Sequence, residues 1–179
     1  MTAPGPCRRA TVPNTWQSAD MSTVTLQPVD ENLLPRLLDL AVADADPNEV
    51  MPPEPGSSRW TDARRAAFTD YYRPGDGRVY AVLIDGRIAG AARLSPAEAP
   101  GVVEAGLWLS RSERGKGHGT AALSLLVDEA RAHGASALIA QTEASNSPAV
   151  AALRTLGAML WEDPETGAVH ATLRVGEAG

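Results

Sequence analysis

Between Arg111 and Thr120 the chain reads Arg-Ser-Glu-Arg-Gly-Lys-Gly-His-Gly-Thr, with glycines at the alternate positions 115, 117 and 119. No other stretch constrains the fold so tightly. Glycine leaves backbone N–H groups uncovered, so the main chain can approach an anion closely. Val102 to Ser110 reads as a strand leading into the loop. After the loop an amphipathic helix carries Leu123, Leu126, Val127 and Ala130 at helical spacing and stops at Gly134. The first-turn N–H groups of that helix have no intrahelical partner and carry the positive end of its dipole, so loop and helix together form a phosphate cradle.

Spacing excludes two familiar cradles. A P-loop requires Ser or Thr after its lysine, and Lys116 is followed by Gly117. A dinucleotide fingerprint requires Gly-x-Gly-x-x-Gly at the first strand of a parallel unit, whereas these glycines alternate and come late in the chain.

The remaining elements follow from periodicity and punctuation. Val24–Val29 reads as a strand, and Asp30 caps a helix over 31–43 with Leu33, Leu37, Leu40 and Ala41 on one face. From Ala43 to Ser58 four prolines and several Asp, Asn and Glu residues read as loop. Thr61 caps a helix over 62–72, with Ala66, Phe68 and Tyr72 at apolar positions. Asp85-Gly86 joins strands 79–84 and 87–94 as a type I′ hairpin. Ala137–Thr142 is a strand parallel to the one before the loop, because a helix crosses between them. Asn146 or Ser147 caps a last helix, with Pro148 at its start and Gly157 at its end, and 158–161 and 168–175 close the chain as a hairpin.

With 179 residues and 44% hydrophobic content, the chain suits one domain with a full core. Residues 1–20 are rich in Pro, Thr and Ser without periodicity, so 1–21 reads as a disordered extension and 22–179 as the single domain. Met21 is an alternative translation start that intact-mass measurement would distinguish from Met1. No apolar run reaches the ~18 residues of a membrane span, which argues against a membrane partner. A formal net charge of -6 argues against nucleic acid. One cysteine, Cys7, allows no internal disulfide and makes the cytoplasm the expected location. His118, His133 and His170 are too scattered for a metal site.

Arg114-x-x-Gly117-x-Gly119 resembles the acyl-CoA pyrophosphate loop of the GNAT superfamily of N-acyltransferases. The element order β-α-α-β-β-β-α-β-α-β-β over 22–175 resembles the same fold, and so do Asn146-x-x-Ala149 and the closing Leu156-Gly157. The resemblance implies an α/β (α+β) domain whose mixed, mostly antiparallel sheet has about seven strands and about four helices. It also implies a splayed central parallel pair that binds acetyl-CoA, with no metal. Arg114, Gly115, Lys116, Gly117, His118, Gly119 and Thr120 are then expected at the pyrophosphate, Trp108 and Leu109 along the pantetheine arm, and Asn146 nearby.

Attack on a thioester requires a neutral amine, and hence a base. Glu104 stands ten residues before Arg114, where several GNAT enzymes carry a catalytic glutamate, and it is the candidate base. The family's thiolate-reprotonating tyrosine is here Leu153. Either Ser147 or Tyr71 substitutes for it, or the thiolate leaves unassisted.

For the acceptor, residues 37–58 contain Asp39, Asp44, Asp46, Glu49 and Glu54 without Lys or Arg. Such a cluster attracts a cation, and Asp44, Asp46 and Glu49 point to a polycationic small amine of the aminoglycoside-antibiotic type. As a bland alternative the cluster is only a solvated acidic loop. A protein or peptide N-terminus, or a non-catalytic acyl-CoA-binding module, are the other readings. Homodimerisation is left open.

Overall fold

The computed structural model describes residues 16–17, 22–56, 58–75 and 77–176. Eight strands form one sheet in the order β1-β2-β3-β4-β5-β6-β8-β7. The strands are β1 (Trp16–Gln17), β2 (Thr23–Pro28), β3 (Arg78–Ile84), β4 (Arg87–Pro96), β5 (Val102–Leu109), β6 (Ala137–Glu143), β7 (Met159–Glu162) and β8 (Ala168–Arg174). Among the described residues only β5 and β6 pair in parallel. Within the segment read from sequence as a disordered extension, Trp16–Gln17 pairs antiparallel with β2. The rest of 1–21 lies outside the described residues, as does the Met21 start.

The helices are α1 (Leu33–Asp44), α2 (Pro47–Val50), α3 (Asp62–Tyr72), α4 (His118–Ala132) and α5 (Ser147–Thr155). The short α2 interrupts what composition suggested was all loop. Asp46 and Glu49 form a reciprocal capping box around Pro47, which starts the turn at no hydrogen-bond cost. The loop around it is anchored from α3 and beyond. Arg64 is buried, bonds Asn48 and lies 3.3 Å from Glu54, and Trp60 Nε1 donates to Ala45 O at 2.9 Å.

Local signals place the other ends. Asp85 and Gly86 have φ of 50° and 78°, the two positive angles of the expected hairpin turn. Thr61 Oγ1 accepts from Arg64 N at 3.2 Å, and Asp30 Oδ1 accepts from Leu33 N at 2.8 Å.

Strands β3, β4 and β5 split their side chains between two cores. Ala81, Ala91 and Trp108 pack under α1 and α3 with Leu37, Phe68 and Tyr72. Val82, Ala92, Leu94, Ala105, Leu109 and Leu138 pack under α4 and α5 with Leu125, Leu126 and Leu153. Alternation therefore puts Glu104 and Gly106 on the α1/α3 face, beside Trp108.

Candidate active site

The parallel pair comes apart partway along. β5 and β6 stay in register from Val102↔Ala137 to Ala105↔Ala140, and then both continue without pairing. Beyond that point each strand presents main chain to an open gap. The bonds Ala97 N→Val102 O (2.9 Å) and Ser110 N→Ala89 O (2.8 Å) fix the alternation on β5. Even-numbered residues bond to β4, so Leu107 and Leu109 face the gap. On β6, Ala144 N→Gly167 O (2.9 Å) sets even residues toward β8 and turns Gln141 toward the gap.

This separates the two residues expected along the pantetheine arm. Leu109 faces the gap, whereas Trp108 has its backbone paired to Ala91 and its side chain 5% exposed against Phe68. Leu107 and Gln141, unlike Trp108, have main chain that faces the gap. Sequence could not identify them, because which parity faces a gap depends on the neighbouring strands.

The glycine loop stands at the open end. After a 3₁₀ turn at Arg111–Glu113, Gly115 and Gly117 adopt φ of 75° and 83°, and Gly117 caps α4. Gly119 and Thr120 lie in the first turn of α4. Asn146 ends the β6 side, where its Oδ1 accepts from Ala149 N at 3.3 Å to cap α5. Loop and asparagine thus both follow the carboxyl ends of the parallel strands, where open α/β sheets bind ligands.

The loop's charged groups are largely engaged within the protein. Arg114 Nε donates to Leu109 O at 2.9 Å, and its Nη2 lies 3.2 Å from Glu49. Glu113 lies 3.5 Å from Lys116 Nζ and 3.4 Å from His118 Nδ1. His118 as a whole is 1% exposed, so its imidazole is not presented to a ligand. What remains for a pyrophosphate is chiefly backbone N–H. That fits the group, because a Cβ at Gly115 or Gly117 would meet no atom within 4 Å: the space over the loop is open.

The acidic residues assigned to an acceptor serve another purpose. Asp44 accepts from Ser112 N (3.1 Å) and Oγ (2.8 Å), Asp46 caps α2, and Glu49 bridges Arg114 and Arg111. Asp44 and Glu49 thereby tie the α1–α2 corner to the glycine loop, and Glu49 alone of the three meets a cation. Sequence missed this because the compensating cations lie more than sixty positions away.

Bonds from the Ser112 backbone and hydroxyl hold the Asp44 carboxyl below its ordinary range. Burial pushes Glu49 up, but the Arg114 and Asp46 N–H bonds outweigh it and its value also falls. Both pKa values are lowered, so this tether is complete at neutral pH and is lost in acid, as pH falls through the depressed values. Replacing Asp44 and Glu49 together by Ala should speed amide exchange across 110–117. Because the groups are largely exposed, acetyl-CoA Kd should rise by no more than about fivefold. Unchanged exchange at Ser112 would remove the tether.

Glu104 stands at the vertex of the gap, opposite Ser95 on β4 and Ile139 on β6, one residue before pairing ends. It is exposed and has no hydrogen-bond or ion-pair partner among the described residues. Leu153 is 5% exposed in the α4/α5 core, which explains its identity by packing. Tyr71 lies on the α1/α3 face under Arg93, whereas Ser147 lines a separate cavity of about 490 Å³ with Val150, Arg154 and Val169. His133 ends α4, 3.5 Å from Glu129, and His170 stacks on Trp161. Among the described residues no group of three or more His, Cys, Asp or Glu is placed to hold a metal ion, and no helix is long and apolar enough to cross a membrane.

A parallel pair that splays beside a glycine loop and helix N-terminus is the arrangement that the sequence resemblance implied for an acyl-CoA-dependent transferase. A family model described as Acetyltransferase (GNAT) family matches residues 43–158, and the chain belongs to that family of acetyl-CoA-dependent enzymes. Among solved structures, the GNAT domain of S. lividans PAT is 18% identical with a TM-score of 0.72, covering 89% of this chain and 95% of that one. Mycobacterium smegmatis RimJ in complex with CoA-disulfide is 20% identical at 0.66, covering 85% and 82%. The yncA structure from Salmonella typhimurium with its cofactor acetyl-CoA is 21% identical at 0.63, covering 87% and 96%. At these identities the likeness is one of fold. Comparison with curated protein sequences gives no match.

Proposed function

We propose that this acetyltransferase acts on the primary amine of a small molecule, received on the α1/α3 face with Glu104 as general base. The observation that carries the reading is the vertex of the gap. Pairing of β5 with β6 ends at Ala105↔Ala140, one residue beyond Glu104, so a group lying in the gap ends beside that carboxylate.

Each part of the chain has a task there. Backbone N–H groups of Gly115 to Thr120 hold the pyrophosphate, aided by the α4 dipole. Leu107, Leu109 and Gln141 offer main chain to the pantetheine arm as to an added strand. Asn146, already spent as a cap on its oxygen side, keeps its amide N–H₂ for the cofactor. The bound cosubstrate supplies an acetyl group activated as a thioester. Glu104 takes the proton of the attacking ammonium, and a gap-facing N–H polarises the thioester carbonyl. With Leu153 packed in the core, the C–S bond breaks to release thiolate, which its low pKa permits, and the second proton on the new amide nitrogen passes to solvent.

A polycationic, aminoglycoside-type acceptor loses its support, since Asp44, Asp46 and Glu49 are engaged within the protein. A peptide or protein N-terminus is the second reading. It is favoured by Trp161 and Met159, which are 60% and 71% exposed on the sheet face that carries Glu104.

A thiol-release assay with acetyl-CoA over a panel of small amines and short peptides tests both. Turnover of small amines at a kcat/KM at least tenfold above the peptides is the expected result. The reverse order would transfer the function to a peptide acceptor. Acetyl-CoA binding without turnover of any acceptor would leave a non-catalytic module.

A further inference from the structure

The α1/α3 face holds a cavity of about 610 Å³, lined in part by Asp70, Tyr71, Arg73, Gly77, Val79 and Arg93. Strand register fixes its relation to the proposed base. Val79, Arg93 and Gly106 form one row across β3, β4 and β5, and Ser95 and Glu104 belong to the next. Arg93 and Glu104 are therefore diagonal neighbours on one face, with backbones about 7–8 Å apart.

Arg93 lacks the partner that its position calls for. Its guanidinium lies 4.6 Å over the Tyr71 ring, and its Nε is buried without a hydrogen bond. No carboxylate among the described residues pairs with it. Asp70, the acidic side chain at the cavity, is spent on Arg73 at 3.5 Å. Thus the cavity's uncompensated charge is a guanidinium over an aromatic ring, without a carboxylate partner among the described residues. A partly buried cation without an anion is costly, and a guanidinium fork matches an oxyanion in two-point geometry. Gly77 at the cavity's edge lies tight against β4, where a Cβ would stand 2.7 Å from Leu94 O.

We infer that the acceptor carries a carboxylate within a few bonds of its amine, and that Arg93 selects for it. The acceptor is then an amino-acid-like molecule whose amine meets Glu104 while its carboxylate meets Arg93. The inference rests on the reading of Glu104 as base and of the acceptor as a small amine. It is opposite in sign to the polycation that the acidic loop suggested.

Matched pairs test it: glycine, alanine, phenylalanine and β-alanine, each against its own carboxamide, in the thiol-release assay with saturating acetyl-CoA. The amides hold more free amine at neutral pH, so intrinsic reactivity favours them and a preference for the acids must come from the protein. The expected result is a kcat/KM at least tenfold higher for the acid in one pair or more. Arg93→Gln should collapse that ratio toward one by raising KM for the acid, and Arg93→Lys should retain part of it. Circular dichroism and thermal melting establish that each variant is folded. Should Arg93→Gln not fold, competition by propionate and acetate against the parent gives the same answer, because the inference requires inhibition by the carboxylate and none by propionamide. Turnover of amides or diamines as good as that of the acids, or a ratio untouched in Arg93→Gln, overturns the inference and leaves the small-amine reading standing. No turnover in either series, with peptides acetylated, removes both.

Discussion

Glu104→Gln should lower kcat/KM by about 10²-fold or more near neutral pH while acetyl-CoA affinity is kept. The substitution preserves the size of the side chain and removes its basic oxygen. Because Glu104 is exposed and has no partner among the described residues, the change breaks no ion pair and opens no cavity, so the melting temperature should stay close to that of the parent. The deficit should shrink as pH rises, since a larger share of the acceptor is then already deprotonated and needs no base. Steady-state kinetics across pH with calorimetric acetyl-CoA binding separate the two effects. A variant as active as the parent at pH 7 would return Glu104 to the status of a surface residue.

Gly117→Val is expected to raise the acetyl-CoA Kd at least tenfold, more than ~1.4 kcal/mol. Sequence alone makes Gly117 and Gly119 equivalent; geometry does not. Gly117 caps α4 with φ of 83°, a conformation that a β-branched residue adopts only under strain, so its replacement displaces the N–H groups that face the ligand. Gly119 already lies inside the helix, and a Cβ there meets only Leu109 Cδ1 at an ordinary 3.8 Å. Gly119→Ala is thus the control and should bind acetyl-CoA within about threefold of the parent. Gly117→Asn, which tolerates the left-handed region, should fall between them. Equal affinities across the series, measured by calorimetry, would take the pyrophosphate away from this loop.

The order of elements was legible because each signal that defines it is local. Asp85-Gly86 can turn only one way, Thr61 and Asp30 cap within three residues, and the glycine loop must end a strand and start a helix. The parallel pairing of β5 with β6 also followed, since a helical crossover allows little else. Leu153 could be read as a departure from the family's tyrosine, but its burial against α4 had to come from packing.

What tertiary structure decided is everything that depends on partners distant in sequence. The acidic run near α2 looked like an electrostatic funnel because its own neighbourhood contains no cation. Arg111 and Arg114 reach it only when β5 places their loop against the α1–α2 corner. The gap-facing backbone of Leu107, and the exclusion of Trp108 from the gap, depend on which neighbour each strand residue bonds to, and alternation along one strand leaves that parity free. Arg93 gave no signal at all in the sequence. It becomes notable only when register sets it diagonal to Glu104, over Tyr71 and without an acid to meet it, because a charge is defined chemically by what surrounds it.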